Sequence, residues 1–200
     1  MPQLTYQNKS LFFIHIPKTA GTSLYSNLGK QGCQHWSSTS PEYNPYTPVL
    51  NNVSKHHLDI KQIQRYYGIV TNKFTIIRNP WQRTVSDYVY RTKDPTFEKL
   101  NNWLLVNLTR AKSDPCWSDN HFKPMYKFID KNTKVFLFHE MYKVHDWIRK
   151  KLDFEFKFNI IENQSIEYSP IKMETVLDDY VANLWLEYYN KDIKLLDKYC

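Results

Sequence analysis

The sequence predicts an α/β fold in which helices cover both faces of a central, mainly parallel sheet, so that the domain has three layers. Three apolar runs rich in β-branched and aromatic residues have the composition of strands buried on both faces. Each run is followed by a helical pattern, and this alternation is typical of right-handed βαβ units. The three predicted strands are LFFIHI (11–16), KFTIIR (73–78) and KVFLF (134–138).

The helices are predicted from apolar periodicity and from residues that favour helix ends. Asp59 is placed to cap a short helix. Pro80 lies at the first turn of another, where a missing N–H costs nothing. The segment 33–54, with three prolines among Ser, Thr and Asn, is predicted to be a loop. The predicted helices span Gly21 to about Lys30, 59–67, 80–91, 96–110, 141–152 and 173–198.

Size and composition favour one globular domain with an anionic partner. The 200 residues suffice for a single core, and we expect one domain over 1–200. The net charge of +7 suits a nucleotide, a glycan, a membrane or a nucleic acid and does not distinguish among them. The three cysteines lie far apart without C-x-x-C spacing, which argues against a disulfide framework and a structural zinc site. We expect no bound metal.

No targeting or membrane-spanning segment is predicted. The first ten residues, MPQLTYQNKS, lack the apolar core of a signal peptide. No run of 18 apolar residues occurs anywhere in the sequence. We therefore expect a cytoplasmic protein.

The segment after the first predicted strand resembles a phosphate-binding loop in which the order of the motif residues is changed. In a Walker A loop the glycines precede the lysine, whereas in PKTAGTS (17–23) Lys18 precedes Gly21. Small residues allow backbone N–H groups at a helix N-terminus to approach an anion. Thr22 and Ser23 add hydroxyl donors. An exposed lysine beside an ordinary helix start would have the same sequence, so this segment alone leaves both interpretations open.

The second predicted strand ends at Arg78, where a magnesium-dependent nucleotide enzyme would place an aspartate. Arg83 and Ser86 follow in the next predicted helix. Ligands of open α/β sheets bind at the carboxyl ends of strands, so we expect Arg78 and Ser86 to bind a second phosphate without a metal. A surface ion pair is the alternative for either arginine. Two anion sites, each directly after a strand, favour a nucleotide with phosphate at both ends of its ribose.

The segments IPKTAGTS and RNPWQRTVSDY resemble the two cofactor motifs of PAPS-dependent sulfotransferases, most nearly those of the carbohydrate branch with heparan 2-O- and chondroitin 4-O-sulfotransferases. The resemblance implies a P-loop-like fold, 3′-phosphoadenosine 5′-phosphosulfate (PAPS) as the cofactor and PAP as the product. It also implies that Arg78 and Ser86 hold the 3′-phosphate. The residues implied to bind the 5′-phosphosulfate are Lys18, Thr19, Ala20, Gly21, Thr22 and Ser23.

Sulfuryl transfer to a hydroxyl needs a general base, and histidine suits this role near neutral pH. The family places a conspicuous histidine just before the short helix, so His57 is the first candidate and His56 the second. His121, in DNHF, matches a family segment near the cofactor cleft and is the third candidate. Lys18 is expected to neutralise charge on the leaving oxygen. The histidines expected to be structural are His15 in the first strand and His35, His139 and His145 on loops or helix surfaces.

Two other functions are compatible with parts of the sequence. A P-loop kinase or NTPase would find a candidate magnesium ligand in Glu140, after the third predicted strand, but the lysine-first loop and Arg78 argue against it. A non-catalytic basic domain that binds nucleotides or nucleic acid would explain the charge. The sequence has neither the Cys and His pattern of a zinc finger nor an RNP-like aromatic run. We therefore expect no nucleic-acid partner.

The acceptor is the least constrained part of the prediction. The resemblance favours a carbohydrate hydroxyl, while tyrosyl peptides, lipids and small metabolites stay open. Golgi members of the family carry an N-terminal membrane anchor that we do not find in this sequence, so we expect a bacterial or viral source. The segment 33–54 has no counterpart in the family and is where we expect acceptor contacts.

Overall fold

A computed structural model of the chain describes residues 3–35, 48–50, 53–157, 173 and 176–200. Within these residues a five-stranded sheet has the strand order β3-β1-β2-β6-β7, and β4 and β5 form a separate hairpin. The strands are β1 (Gln3–Tyr6), β2 (Lys9–Ile14), β3 (Gln34–His35), β4 (Pro48–Leu50), β5 (Val53–Ser54), β6 (Lys73–Ile77) and β7 (Lys134–Leu137). Strands β2, β6 and β7 are parallel to one another, while β1 runs antiparallel to both of its neighbours.

Apart from the start of the last one, the α-helices of the described part begin and end close to the predicted bounds. They are α1 (Gly21–Lys30), α2 (Ile60–Tyr67), α3 (Pro80–Arg91), α4 (Phe97–Ser113), α5 (Met141–Leu152) and α6 (Asp179–Asp197). Helix α2 starts with a capping box, in which the side chains of Asp59 and Gln62 each accept the other's backbone N–H at 2.9 Å. Pro80 occupies the first position of α3, as predicted. None of these helices is long and apolar enough to cross a bilayer.

Helices cover both faces of the sheet, which confirms the predicted α/β fold with three layers. On one face α1 and α5 pack against Phe13 and Phe74. On the other face α2 and a 3₁₀ turn over 125–128 pack against Ile14 and Ile77. Adjacent residues of a strand point to opposite faces, so a run that is apolar at every position supplies both layers.

Helices α3, α4 and α6 form a third apolar cluster. Trp185 of α6 is buried, and its indole N–H donates to the Thr84 hydroxyl of α3 at 3.0 Å. Tyr189 donates its hydroxyl to the carbonyl of Phe122 at 2.9 Å. Helix α6 therefore fixes α3 and the segment around Phe122 relative to each other.

The sheet differs from the prediction at its N-terminal edge. Strand β1 was missed because its four residues are too few to show a period. Strand β2 begins at Lys9 and ends at Ile14. The polar residues at its start pair with β1. The segment 33–54, predicted to be a loop, contains β3, β4 and β5, while its residues 36–47 and 51–52 lie outside the described part. The last helix begins at Asp179 and not at 173.

Candidate active site

The loop between β2 and α1 places Lys18 at the carboxyl edge of the parallel strands. Lys18 and Ala20 both have left-handed backbone, with φ of 66° and 69°. This conformation costs a non-glycine residue about 1–2 kcal/mol. Thr19 is buried between them, and its hydroxyl donates to the carbonyl of Ile16 at 2.8 Å. The Thr19 hydroxyl therefore holds the turn closed, which leaves its backbone N–H as the group that could reach a ligand.

Gly21 is required by its packing against His15. A Cβ atom at this position would lie 2.1 Å from Nε2 of His15, so a larger residue would displace the ring. His15 is buried, as expected, but its Nδ1 has no hydrogen-bond partner among the described residues. Burial and then the nearby His57 lower the pKa of His15 well below its usual value, so the ring is neutral.

The N-terminus of α1 has no side-chain cap. Ala20 offers no side-chain acceptor at the N-cap, and the first turn carries no acidic residue. Free backbone N–H groups at a helix N-terminus attract anions. Helix α3 differs, because Asn79 accepts the N–H groups of Trp81 and Gln82 at 2.9 and 3.1 Å. Of the two helix starts at this edge, α1 is the one that can bind an anion through its backbone.

Lys18 and Arg78, which the sequence places at two different strand ends, lie together in the structure. Nη1 of Arg78 donates to the carbonyl of Lys18 at 3.3 Å, and the guanidinium lies 4.3 Å from the centre of the Phe138 ring. Burial lowers the pKa of Arg78 to about 10, so it stays charged at neutral pH. Its Nε–H is buried and has no acceptor in the described part of the chain. An unpaired buried donor costs about 1–3 kcal/mol, and a bound anion would pair it.

The ammonium group of Lys18 lies 4.0 Å from the centre of the Tyr90 ring. Burial lowers the pKa of Lys18 to about 8, while Asp87 opposes this shift and Arg78 adds to it. An anion bound near Lys18 and Arg78 would favour the charged form of the lysine. The site is therefore suited to a negatively charged ligand.

Arg83 has a structural role that the sequence did not reveal. Its side chain is buried and donates to three backbone carbonyls, those of Pro17 at 3.0 Å, Lys123 at 3.2 Å and His121 at 2.7 Å. In these three bonds the guanidinium group donates to the protein backbone and not to a ligand. Arg83 therefore joins α3 to the Lys18 loop and to the segment that carries His121.

His57 forms a hydrogen-bonded pair with Asp119. Nδ1 of His57 lies 2.7 Å from Oδ2 of Asp119, whose other oxygen accepts the N–H of Ser54 at 2.6 Å. Asn120 donates to the carbonyl of His57 at 2.7 Å. A carboxylate on Nδ1 fixes the orientation and tautomer of an imidazole and leaves Nε2 as the acceptor.

The turn that carries Asp119 is strained. Ser118, Asp119 and Asn120 all have left-handed backbone, with φ of 54°, 57° and 62°. Strain of this kind persists only where surrounding contacts hold it, and it concentrates at functional sites. Asn120 supplies one such contact, because its amide also donates to the Gln62 side chain at 2.7 Å. The turn is therefore held against both His57 and the first turn of α2.

A second histidine–aspartate pair joins His121 to Asp87. Nδ1 of His121 lies 2.7 Å from Oδ1 of Asp87, and Nε of Arg91 donates to the same oxygen at 3.1 Å. Burial alone would raise the pKa of Asp87, but His121 and Arg91 outweigh it and hold the pKa low. Burial lowers the pKa of His121, although Asp87 opposes the shift. Ser86, a predicted phosphate ligand, is buried next to Asp87 in α3.

The three candidate bases lie in one cluster around His15. The ring centre of His57 lies 5.1 Å from that of His15 and 4.9 Å from that of His121. The ring centre of His56 lies 6.1 Å from that of His15. The structure therefore brings the predicted candidates together, and it adds Asp119 and Asp87 as their partners.

Glu140, His139 and His145 are not part of this histidine cluster. Glu140, the candidate magnesium ligand, pairs with Lys143 in the next turn. His139 is exposed, and Nε2 of His145 lies 2.6 Å from a backbone carbonyl oxygen. The side chain of His35 lies outside the described residues.

Sequence reasoning missed both carboxylates of the histidine pairs. Asp119 precedes the candidate His121 by two residues, and Asp87 directly follows Ser86. Their histidine partners lie 62 and 34 residues away in the chain. No local spacing predicts such a contact, although an acidic residue beside each predicted site residue was a signal available in the sequence.

Comparison with protein families decides the class of this site. A family model described as "Sulfotransferase family" matches residues 3–198. The chain belongs to the sulfotransferase family. No curated protein and no solved structure matches it.

Membership of the family confirms the resemblance carried by the two motif segments. The matched region of this sulfotransferase includes the Lys18 loop, Arg78 and both histidine–aspartate pairs. Its mixed sheet of mostly parallel strands with flanking helices is consistent with the family. The family supports transfer of a sulfuryl group over the kinase and nucleic-acid-binding alternatives.

Proposed function

We propose that this sulfotransferase moves the sulfuryl group of PAPS to an acceptor hydroxyl, with PAP as the second product, within one domain over residues 1–200. The observation that best supports PAPS is the proximity of Lys18 and Arg78 beside the N-terminus of α1, which has no side-chain cap. Arg78 has a buried Nε–H without an acceptor among the described residues. A phosphate oxygen is the kind of acceptor that a guanidinium group prefers.

The residues suit a nucleotide with anionic groups at two ends. Lys18 and the first-turn N–H groups of α1 would bind the 5′-phosphosulfate, with Thr22 and Ser23 as hydroxyl donors. Arg78 and Ser86 would bind the 3′-phosphate. Thr19, Ala20 and Gly21 would contribute backbone N–H groups alone. The proposal includes no metal in the transfer.

Bound PAPS supplies an activated sulfuryl group, and the protein supplies alignment, a base and a cation. His57 accepts the proton of the acceptor hydroxyl at Nε2 while Asp119 holds Nδ1. Lys18 stabilises negative charge on the leaving oxygen. A charge pair at 4 Å is worth about 4 kcal/mol at an effective dielectric near 20. If ~3 kcal/mol of this acts in the transition state, the rate rises by about 100-fold.

His57 is preferred as the base because it lies just before α2, where the resemblance places a conspicuous histidine, and because Asp119 holds its Nδ1. Burial does not separate the two pairs at the ring, since the side chains of His57 and His121 are 10% and 9% exposed. His56 and His121 are the alternatives for the same role.

Cofactor binding is tested by thermal unfolding with 3′,5′-ADP and with ADP. We expect 3′,5′-ADP at 100 times its Kd to stabilise the protein by about 2.7 kcal/mol relative to the ligand-free protein, and ADP at the same concentration to stabilise it less. Arg78→Ala should reduce the difference between the two ligands. The matched control is Arg65→Ala, at an exposed position of α2. Equal stabilisation by ADP and 3′,5′-ADP would contradict a site for the 3′-phosphate.

Transfer is tested with radiolabelled PAPS, and in parallel with ATP and Mg²⁺. We expect sulfuryl transfer that persists with a chelator and is largely lost in Lys18→Ala. Magnesium-dependent ATP turnover without sulfuryl transfer would contradict the proposal.

We propose a carbohydrate hydroxyl as the acceptor, which is supported by the resemblance of the motif segments to the carbohydrate branch. Mass spectrometry for added sulfate across sugars, tyrosyl peptides, lipids and small metabolites tests this choice. Sulfation of a non-carbohydrate class alone would contradict the acceptor and leave the PAPS site intact.

A further inference from the structure

His57, Asp119 and His121 bring three metal-binding donors to one point. One ligand atom from each residue, a ring nitrogen or a carboxylate oxygen, lies within 4.8 Å of the other two. Two imidazoles and one carboxylate form a donor set that Zn²⁺ uses when three protein ligands leave a fourth position open. The three residues come from two separate segments, which the strained turn at 118–120 holds together.

Two of these donors are already oriented by a further residue. Nδ1 of His121 is occupied by Asp87 at 2.7 Å, so Nε2 is the nitrogen left to bind a metal. Oδ1 of Asp119 accepts the N–H of Ser54 at 2.6 Å, which leaves Oδ2 on the side of His57. A carboxylate on the far nitrogen of a ligand histidine is the usual arrangement around zinc, where it fixes the ring and raises its basicity.

Binding of a metal requires the donor atoms to adjust to the spacing of its coordination shell. Zinc–ligand bonds of 2.0–2.2 Å place tetrahedral donors about 3.3 Å apart. Nδ1 of His57 and Oδ2 of Asp119, at 2.7 Å, share a proton that a metal would displace. The three ligand atoms lie within 4.8 Å of one another, so no separation has to shorten by more than about 1.5 Å to reach that spacing. Since the Asp119 side chain is 28% exposed, an ion can reach the donors from solvent.

We propose that His57, Asp119 and His121 bind a divalent transition metal, with Zn²⁺ the best match, and that the bound ion inhibits sulfuryl transfer, because a neutral ring bound through Nδ1 carries its proton on Nε2 and can no longer accept one from the acceptor. Mg²⁺ is excluded because it prefers oxygen ligands in octahedral geometry. The inhibitory effect rests on the proposed function, since it requires His57 to act on the acceptor. The binding of the metal does not depend on it.

Binding is tested with Co²⁺ as a spectroscopic substitute for Zn²⁺ and with the full chain. We expect the visible absorption of tetrahedral Co²⁺ to saturate at one ion per chain and to be abolished by Zn²⁺. Asp119→Asn and His121→Gln should each weaken binding by at least about 10-fold, and Asp87→Asn by about 10- to 100-fold. The control is His139→Gln, at an exposed histidine outside the cluster. Thermal unfolding of each variant verifies that it is folded.

Binding that is unchanged in both Asp119→Asn and His121→Gln, or that falls equally in His139→Gln, would overturn the site. Inhibition is tested by adding Zn²⁺ to the transfer assay, where we expect loss of activity that a chelator restores. Full activity with Zn²⁺ bound would overturn the inhibitory role. Because the Co²⁺ titration needs neither PAPS nor acceptor, a protein that binds Co²⁺ but transfers no sulfate would count against the proposed function and support the site.

Discussion

Lys18 is a partly desolvated lysine whose charged neighbours act in opposite directions. Burial makes the largest contribution to its lowered pKa of about 8, while Asp87 favours the charged form and Arg78 and Arg91 disfavour it. The lysine therefore changes charge near pH 8. A ligand that places negative charge beside it shifts this balance, so we expect ligand binding to be coupled to uptake of a proton.

Affinity for 3′,5′-ADP should fall as the pH rises above about 8. The pKa of Lys18 is about 8 in the free protein. A bound anion raises it, so above the free-protein value each binding event has to take up a proton. Lys18→Arg keeps its charge and should bind with an almost constant Kd over the same interval. Isothermal titration calorimetry at several pH values tests this, and an equal slope in both proteins would contradict the role of Lys18.

Substitution of the proposed base should lower kcat with little effect on the KM for PAPS. We expect His57→Gln to reduce kcat by about 100- to 10,000-fold, the range typical of general bases. Asp119→Asn should give a smaller loss, because Nδ1 of His57 would lose the carboxylate at 2.7 Å but keep the ring. Steady-state kinetics with His139→Gln as the control measures both. A larger loss in His56→Gln or His121→Gln than in His57→Gln would move the base to that residue.

At the scale of secondary-structure elements, Arg83 connects three parts of the site. It lies on α3 and bonds the carbonyls of Pro17, His121 and Lys123. Pro17 directly precedes Lys18, so one guanidinium fixes both the Lys18 loop and the segment that carries His121. The planar fork of arginine supplies donors in several directions, which a lysine ammonium on a flexible stem does not reproduce.

Arg83→Lys should therefore destabilise the fold although it keeps the charge. At least one of the three buried carbonyls would lose its donor, at about 1–3 kcal/mol for each unsatisfied group. Urea unfolding measures the loss, with Arg65→Lys at an exposed position of α2 as the matched control. We also expect weaker binding of 3′,5′-ADP, because the Lys18 loop would lose its anchor. Equal stability of the two variants would show that Arg83 does not hold these segments.

Elements with local signals were predictable, and contacts between distant segments were not. The start of α2 follows from Asp59 and Gln62, which are three residues apart and cap the helix together. The proximity of Lys18 and Arg78 follows from the rule that parallel strands end at one edge of a sheet. The turn carrying Asp119 has no such signal, because left-handed backbone at three non-glycine residues is set by tertiary contacts.

At the scale of the whole molecule, α6 joins the helical cluster to the sheet. Asp192 of α6 is fully buried and accepts the N–H groups of Met125 and Tyr126 at 2.7 and 2.9 Å. These residues form the 3₁₀ turn that packs on one face of the sheet. Burial raises the pKa of Asp192 to about 6, although the two N–H groups and the nearby Arg83 oppose the shift.

The stability of the protein should depend on pH through Asp192. Its pKa rises from 3.8 to about 6 on folding, so the folded chain holds the proton at pH values where the unfolded chain has lost it. The contribution is therefore complete below about pH 4 and is lost as the pH rises to about 6, by at most about 3 kcal/mol. Asp192→Asn removes this titration. Carboxyls with lowered pKa values, such as those of Asp87 and Asp119, have the opposite dependence, but they are common to both proteins and cancel in the difference.

Urea unfolding at about pH 4, 5, 6 and 7 measures the stability of the wild type minus that of Asp192→Asn. We expect this difference to fall as the pH rises through the interval between the two pKa values of Asp192. A difference that rises with pH would mean that the two N–H groups outweigh burial and keep the carboxylate ionised in the fold. In that case the turn at 125–128 would be held by a buried charge, and stability would be lost on acidification instead.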